Sequence, residues 1–461
     1  MKPKPIRIDL DIAIIGGGVA GLWLTNRCVA EGYSAALFEA KALGSDQSLA
    51  SQGMIHGGMK YTLAGALTGA SEAIADMPKH WRACLCGEGD VDLRHTRILS
   101  DHFFLWSSDS LASKLTNFLA SKITRGRLEA VHPDRRPPLL RRHDFKGSLY
   151  RLEDIVIDTP SLIANLANNV EANCFQLDWT QARLKKDTQG TLSLAIENPE
   201  QPLEIHAQRF VFTAGKGNGE LMQQLDLAQP AMQLRPLQQL MVKHHYPFDF
   251  YGHCLGAETT PRLTISSHRL PDGARIWYLG GSLAEKGATM DPAALIELAK
   301  TELAELIPWI NLNNAEWATL PIARAEPEQP GFARPDNAFI QHVEGTANLL
   351  LGWPTKLTLA PNLANEALKL FSDAQLIKTC APLSAAPATG KGAVSATEKN
   401  VALKQLREHL ALPSLAKTPW ELAFPPAMSP EEVLELRFRH ELYEDYEIEV
   451  EVNTKNNKEN T

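Results

Sequence analysis

The first residues able to do chemistry sit near the start of the chain. An apolar run, Asp9–Ile15, leads straight into Gly16-Gly17-Gly18-Val19-Ala20-Gly21. This is the G-x-G-x-x-G spacing in the setting it needs, a strand feeding a helix. Gly16 permits the tight turn, Gly18 lets a pyrophosphate approach the backbone, and Gly21 lets helix and sheet pack closely. The helix start adds free N–H groups and the positive end of its dipole. A second strand, Ser34–Phe38, ends in Glu39, where an acid meets the ribose hydroxyls of an adenosine. Strand, turn, helix, Gly32 stop, strand and terminal acid together argue against an ordinary glycine-rich loop.

Three further stretches combine strand-like apolar runs with small and polar residues. Ala50-Ser51-Gln52-Gly53-Met54-Ile55-His56-Gly57-Gly58-Met59-Lys60-Tyr61 is small and polar; Val211-Phe-Thr-Ala214-Gly215 is a strand running into glycine. The third is Asn348–Pro361, containing Gly352-Trp353-Pro354-Thr355-Lys356-Leu357. In this order they resemble the cofactor segments of the D-amino-acid oxidase superfamily of flavoenzymes. The likeness is greatest to the glycerol-3-phosphate dehydrogenase and L-2-hydroxyglutarate oxidase branches, which carry a similar Ser…Ile-His-Gly/Ala-Gly run. The resemblance implies FAD as cofactor. It implies contacts from Gly16, Gly18, Gly21, Glu39, Ser51, Gln52, Gly53, Met54, His56, Ala214, Gly215, Gly352, Thr355, Lys356 and Leu357. It also implies hydride transfer from a C–H bond to flavin N5. The third segment departs from the family, which usually has more glycine where this chain has Trp353-Pro354-Thr355-Lys356.

Arg324 falls where relatives place an arginine that grips a substrate carboxylate or phosphate, as a guanidinium can with two parallel hydrogen bonds; a structural salt bridge is the plainer reading. Arg334-Pro335-Asp336 resembles a neighbouring family stretch and reads as structural. His56 titrates in the right range for a base or for a flavin contact, against simple packing. Lys356 can set a positive charge near the flavin N1–C2 edge, against solvent exposure. Lys243, His253 and His268 lie in a β-rich stretch expected to roof the substrate, but strand side chains alternate and the sequence does not fix which face each takes.

The chain has 461 residues, 44% hydrophobic, with a formal net charge of −8, which argues against nucleic acid as the main partner. Its six cysteines show no metal-ligand spacing; Cys84-Leu-Cys86 is the only close pair, so no metal is expected. No stretch reaches the roughly 20 apolar residues of a membrane helix. Lys2, Lys4 and Arg7 precede an apolar run, but Asp9, Asp11 and the glycine turn make that run a nucleotide motif. Residues 60 to 130 read as mostly helical. Residues 122 to 146 hold Lys122, Arg125, Arg127, Arg135, Arg136, Arg141, Arg142 and Lys146 against Glu129, Asp134 and Asp144. With Phe103, Phe104 and Trp106, residues 103–146 offer a surface for peripheral membrane contact, against a solvated basic face.

The expected architecture is α/β: a Rossmann-like FAD-binding domain and a second α+β substrate domain on a mainly antiparallel sheet. The FAD domain is expected from 1–75, 150–225 and 328–380, and the substrate domain from 76–149 and 226–327. Residues 381–461 read as a linker and C-terminal extension, partly disordered. The expected function is oxidation of a small anionic substrate, a 2-hydroxy acid or polyol phosphate, with oxygen or quinone as electron acceptor. The expected location is cytoplasmic, or peripheral on the inner face of the membrane. Rival readings are an amino-acid or amine oxidase of the same fold, an NAD-linked dehydrogenase, and a flavin-binding accessory protein without turnover.

Overall fold

The computed structural model describes residues 3–57, 74–108, 128–198, 201–256, 258, 260–380 and 401–425. The apolar run becomes β1 (Ile6–Ile15), a strand buried on both faces over its second half. It lies between β2 (Ala35–Glu39) and β12 (Leu203–Phe212), parallel to both. β9 (Cys174–Gln176) extends the sheet beyond β2. The outer edge of β12 is shared. Its first half takes the antiparallel β11 (Leu192–Ile196), which pairs with β10 (Ala182–Lys186); its last three residues take β19 (Leu349–Trp353), which carries β18 (Phe339–His342). Residues 210–212 and 349–351 are thereby neighbours across a long stretch of chain.

Helices cover both faces, as a mostly parallel sheet requires. Ile12 and Ile14 pack with Leu22 and Trp23 of α1 (Val19–Ala30), Leu162 and Leu166 of the helix Thr159–Asn169, and Ala364 and Phe371 of the helix Ala360–Asp373. Asp158 caps the second of these through its carboxylate and the Ser161 N–H. On the other face Ala13 and Ile15 join Leu403 and Leu406 of the helix Val401–His409.

The second large sheet has the order β17-β13-β16-β15-β14-β5-β7-β6. Its strands are β5 (Phe103–Ser107), β6 (Leu128–Ala130), β7 (Leu149–Leu152), β13 (Met232–His244), β14 (Gly252–Leu255), β15 (Leu263–Arg269), β16 (Arg275–Gly280) and β17 (Glu316–Pro327). All pairings are antiparallel except β14 with β5. The helix Pro292–Leu306 packs Leu295, Ala299 and Leu303 against Leu240, Val242, Trp277 and Leu279. A small sheet of β3 (Met54–Ile55), β8 (Ile155–Ile157) and β4 (Ile98–Ser100) accompanies the two. The architecture is therefore the expected mixed α/β one.

Two expectations need correction. In its described part the stretch read as mostly helical holds the helix Met77–Leu85 but also the strands β4, β5 and β6. Phe103 and Trp106 are core residues, each 1% exposed, because alternate positions of β5 pack on both faces of the sheet. They cannot enter a lipid surface. Arg136 is likewise engaged, donating to the Phe145 carbonyl and lying over its ring. Lys122, Arg125, Arg127 and the Gly58–Tyr61 end of the small-residue segment lie outside the described residues, as do 381–400 and 426–461. Among the described residues no helix is long and apolar enough to cross a membrane. By compactness the chain divides into 1–419, to which all of the above refers, and 420–461, of which 420–425 are described.

Candidate functional site

The carboxyl ends of β1, β2 and β12 converge, and the glycine turn sits among them. Gly16 has φ +111, and a Cβ there would lie 2.6 Å from the Ala214 backbone. Gly21 is tighter: a Cβ would meet the Gly16 carbonyl at 1.9 Å, so only glycine lets α1 lie against the turn. At Gly18 a Cβ would meet one atom, Ser48 Oγ at 3.1 Å, and otherwise open space. The first two glycines are thus required by packing, while Gly18 leaves room that a ligand phosphate can use.

Glu39, 8% exposed, accepts from Gly17 N–H at 2.6 Å and Lys41 N–H at 2.7 Å. It ties the end of β2 to the turn, and each carboxylate oxygen keeps a lone pair for a ribose hydroxyl. The 44–53 segment lies along the same turn. Gly44 N–H donates to the Gly17 carbonyl at 2.9 Å, and Val19 N–H donates to Ser48 Oγ at 3.0 Å. Asn218, fully buried, ties the turn after β12 to β19: it accepts from Ala214 N–H at 2.8 Å and donates to the Gly352 carbonyl at 3.2 Å. Trp353 Nε1 donates to the Gly215 carbonyl at 3.0 Å. Gly16, Ala214, Gly215 and Gly352 are thereby drawn together by short-range contacts.

Gly352 lies inside β19 and not in the turn after it. The left-handed position of that turn is Thr355, φ +60, whose hydroxyl donates to the Asn337 carbonyl at 3.0 Å. Lys356 Nζ donates to the Asp336 carbonyl at 2.9 Å. A single-turn helix over Leu357–Leu359 then leads into the helix Ala360–Asp373. His56 is half-buried; its N–H meets Thr358 Oγ at 3.4 Å, and that hydroxyl meets the Met54 carbonyl at 3.3 Å. Ser51 Oγ accepts from Gly53 N–H at 3.3 Å. Gln52 reaches into the second sheet, donating to the Tyr278 carbonyl at 2.7 Å; in return the Tyr278 hydroxyl donates to the Ala50 carbonyl at 2.9 Å.

The register of the second sheet settles which residues share a face. Thr264 pairs with His253 and Gly280, Ser266 with Tyr278, and Tyr278 with Met241. His253, Thr264, Ser266, His268, Tyr278 and Gln239 therefore line one face, opposite the Leu240–Trp277 core, and all are buried. His253 Nδ1 lies 2.8 Å from Thr264 Oγ, and His268 Nε2 lies 3.3 Å from Ser266 Oγ. Burial holds the His268 imidazole down to about 4, so it is neutral at physiological pH. Lys243, at the far end of β13, pairs with Glu316 at 3.1 Å.

At the near end of β13 and β17, Arg235 and Arg324 are direct cross-strand partners. Arg235 pairs with the buried Glu326. Arg324 lies 3.6 Å from Glu285, and Arg334 donates to the same Glu285 oxygen at 2.7 Å. Arg324 Nε is buried without a hydrogen-bond partner. Burial, helped by Arg334 and Arg235, pushes its pKa down to about 10, which leaves it cationic at neutral pH. Arg235, Glu285, Glu326, Gln239 and Tyr278 were not singled out from the sequence. They carry no motif: strand register brings Arg235, Glu326, Gln239 and Tyr278 together, and Glu285 arrives on the short helix Ser282–Gly287.

A family model described as DAO, FAD dependent oxidoreductase, matches residues 11–310. The chain belongs to this family. It is 46% identical over 426 residues to the probable FAD-dependent oxidoreductase PA4991 of Pseudomonas aeruginosa, spanning 91% of this chain and all of the relative. The crystal structure of that protein aligns with a TM-score of 0.73 at 40% identity, again covering 91% and 100% of the two chains. Glycine oxidase from Geobacillus kaustophilus (TM-score 0.58, 16% identity, 83% of this chain and 100% of that one) shares the fold. So does L-alpha-glycerophosphate oxidase from Mycoplasma pneumoniae with FAD bound (TM-score 0.55, 15% identity, 79% and 95%). The protein is an FAD-dependent oxidoreductase. The open face at Gly18, the start of α1 and the acid at Glu39 fit an adenine dinucleotide.

Proposed function

We propose that the chain oxidises a small anionic substrate, a 2-hydroxy acid or polyol phosphate, at a C–H bond. The reading is carried by the excess of guanidinium at the end of β13 and β17: Arg235, Arg324 and Arg334 against Glu285 and Glu326. A half-buried cluster with one uncompensated cation is stabilised by an anion, and a carboxylate or phosphate supplies the oxygens that Arg324 Nε lacks. Bound FAD supplies the hydride acceptor, and electrons leave to oxygen or a quinone. In this reading Arg324 anchors the substrate, Glu285 fixes Arg324 and Arg334, and His56 holds or takes the hydroxyl proton. The segments around Gly16–Gly21, Glu39, Ser51–His56, Ala214–Gly215 and Gly352–Leu357 hold the cofactor, with Lys356 fixing the last of these through Asp336. The cofactor domain is the first sheet with its helices, and the substrate domain is the second. An amino acid is the second reading, favoured by Glu285, whose carboxylate beside Arg324 can meet an ammonium group.

The test is anaerobic bleaching of the flavin by a panel of 2-hydroxy acids, polyol phosphates, amino acids and amines. Rapid reduction by one of the first two classes is expected. Reduction by amines alone overturns the substrate class, and reduction by none favours an accessory protein. Arg324→Ala should keep FAD and lose kcat/KM by roughly 30-fold to several thousand-fold, since breaking a desolvated charge pair costs about 2–5 kcal/mol. An unchanged kcat/KM removes Arg324 as the anchor.

A further inference from the structure

The Cys84–Cys86 region has no part in the site above, yet it gathers an unusual set of side chains. His80 and Cys84 stand four residues apart on the helix Met77–Leu85, so they share one face. Asp90 arrives from the loop that follows. His80 Nε2 lies 2.9 Å and Cys84 Sγ 3.3 Å from the same oxygen, Asp90 Oδ1. All three donor atoms lie within 4.8 Å of one another. The other oxygen, Oδ2, is held by Arg27, which also donates to Asn365 Oδ1 at 2.7 Å.

We propose that His80, Cys84 and Asp90 form a binding site for one zinc-class divalent cation. The donor types are imidazole, thiolate and carboxylate, the set such a cation prefers. The two edges that meet at Asp90 Oδ1 also fit. Bonds of about 2.0–2.1 Å to nitrogen and oxygen and about 2.3 Å to sulfur, at tetrahedral angles, give N···O and S···O edges of about 3.3–3.6 Å. The observed 2.9 and 3.3 Å need to open by only a few tenths of an ångström.

The loop is shaped to make this triangle. A Cβ on Gly89 would lie 2.4 Å from Cys84 Sγ and 2.6 Å from its backbone nitrogen, so only glycine lets the loop fold over the thiol. Arg27 on the non-ligating oxygen orients the carboxylate as outer-shell partners do in metal sites. Cys84 is buried, while the side chains of His80 and Asp90 are 26% and 20% exposed, which leaves a solvent path for the cation and a water as fourth ligand. On binding, the Cys84 thiol proton passes to solvent and the cation takes its place. The site would pin the Met77–Leu85 helix to α1, whose Trp23 packs on Trp81 at 4.7 Å. Trp81 in turn donates to the Thr358 carbonyl, one residue pair from His56.

Metal-stripped holoprotein titrated with Zn2+ against a chromophoric chelator tests this, with Co2+ as spectroscopic probe. One equivalent is expected, with a sulfur-to-cobalt band in the near ultraviolet and tetrahedral bands to the red of the flavin absorption. Cys84→Ser and Asp90→Asn should abolish the tight equivalent while FAD content reports an intact fold, and Cys86→Ser should retain it. Arg27→Ala should weaken it by about 10–100-fold. If wild-type protein takes up no tight equivalent, or the Co2+ spectrum lacks the sulfur band, the three side chains are a hydrogen-bonded network only and the proposal fails. The Co2+ spectrum of the wild-type protein decides this even where a variant does not fold.

Discussion

Gly18→Ala separates the two jobs that glycines do in the nucleotide turn. Gly18 caps α1 with φ −74 and ψ −178, a conformation alanine adopts freely. Its new methyl would meet only Ser48 Oγ at 3.1 Å, a contact relieved by a small rotation of the serine. The apoprotein should therefore keep its stability to within about 1 kcal/mol, since the smaller unfolded-state entropy of alanine offsets the contact. The methyl would instead occupy the space for a pyrophosphate. Two lost N–H bonds to phosphate, at about 1.5–3 kcal/mol each, amount to about 3–6 kcal/mol. FAD affinity should fall by about 10²–10⁴-fold. Gly21→Ala is the contrast: its Cβ would sit 1.9 Å from the Gly16 carbonyl and 2.8 Å from Thr213 Oγ, so it should destabilise the fold even without cofactor. Apoprotein unfolding by circular dichroism and FAD titration by quenching of flavin fluorescence read the two effects separately. Unchanged FAD affinity in Gly18→Ala, or an apoprotein that fails to fold, would refute the assignment of that open face to the phosphates.

Other outcomes follow from single side chains. His56→Ala should keep FAD but slow flavin reduction by about 10²–10⁴-fold if the imidazole takes the substrate proton; recovery in His56→Gln would reduce its role to positioning, and wild-type rates in both would remove it from the chemistry. Asn218→Ala leaves Ala214 N–H and the Gly352 carbonyl without their partner, so urea unfolding should show a loss of about 2–4 kcal/mol; a loss below 0.5 kcal/mol, or roughly none, would contradict the bridging role. Burial holds both His244 and His268 down to about 4, from 6.5. The unfolded chain therefore binds more protons, and their contribution is complete above pH 6.5 and lost as pH falls towards about 4, by about 3 kcal/mol each. Denaturant unfolding across that range should steepen with acid, less so in His268→Asn; a flat profile would show that these rings are not buried as neutral groups.

The nucleotide half of the molecule was legible because its requirements are local. A buried strand, a turn with no room for side chains and a helix start must follow one another directly, and Asp9–Gly21 writes them in order. The start of the helix Thr159–Asn169 is equally local, since Asp158 caps it two residues before Pro160. The strands around Phe103 were misread because short apolar runs suit helix and strand alike, and neighbours far along the chain decide between them. Pairing with β18 makes Gly352 part of a strand and leaves the left-handed position of the following turn to Thr355.

Arg324 could be singled out from its surroundings in sequence, but its partners could not. Arg235 lies opposite it only because β13 and β17 pair in one register, and a shift of one residue would turn Arg235 to the other face. Glu285 and Arg334 come from a helix and a loop outside that ribbon. Local backbone rules thus fixed the strand, turn and helix start to which we assign the dinucleotide. The charge balance beside it, and the meeting of His80, Cys84 and Asp90, are properties of how distant segments pack, and only the tertiary structure decides them.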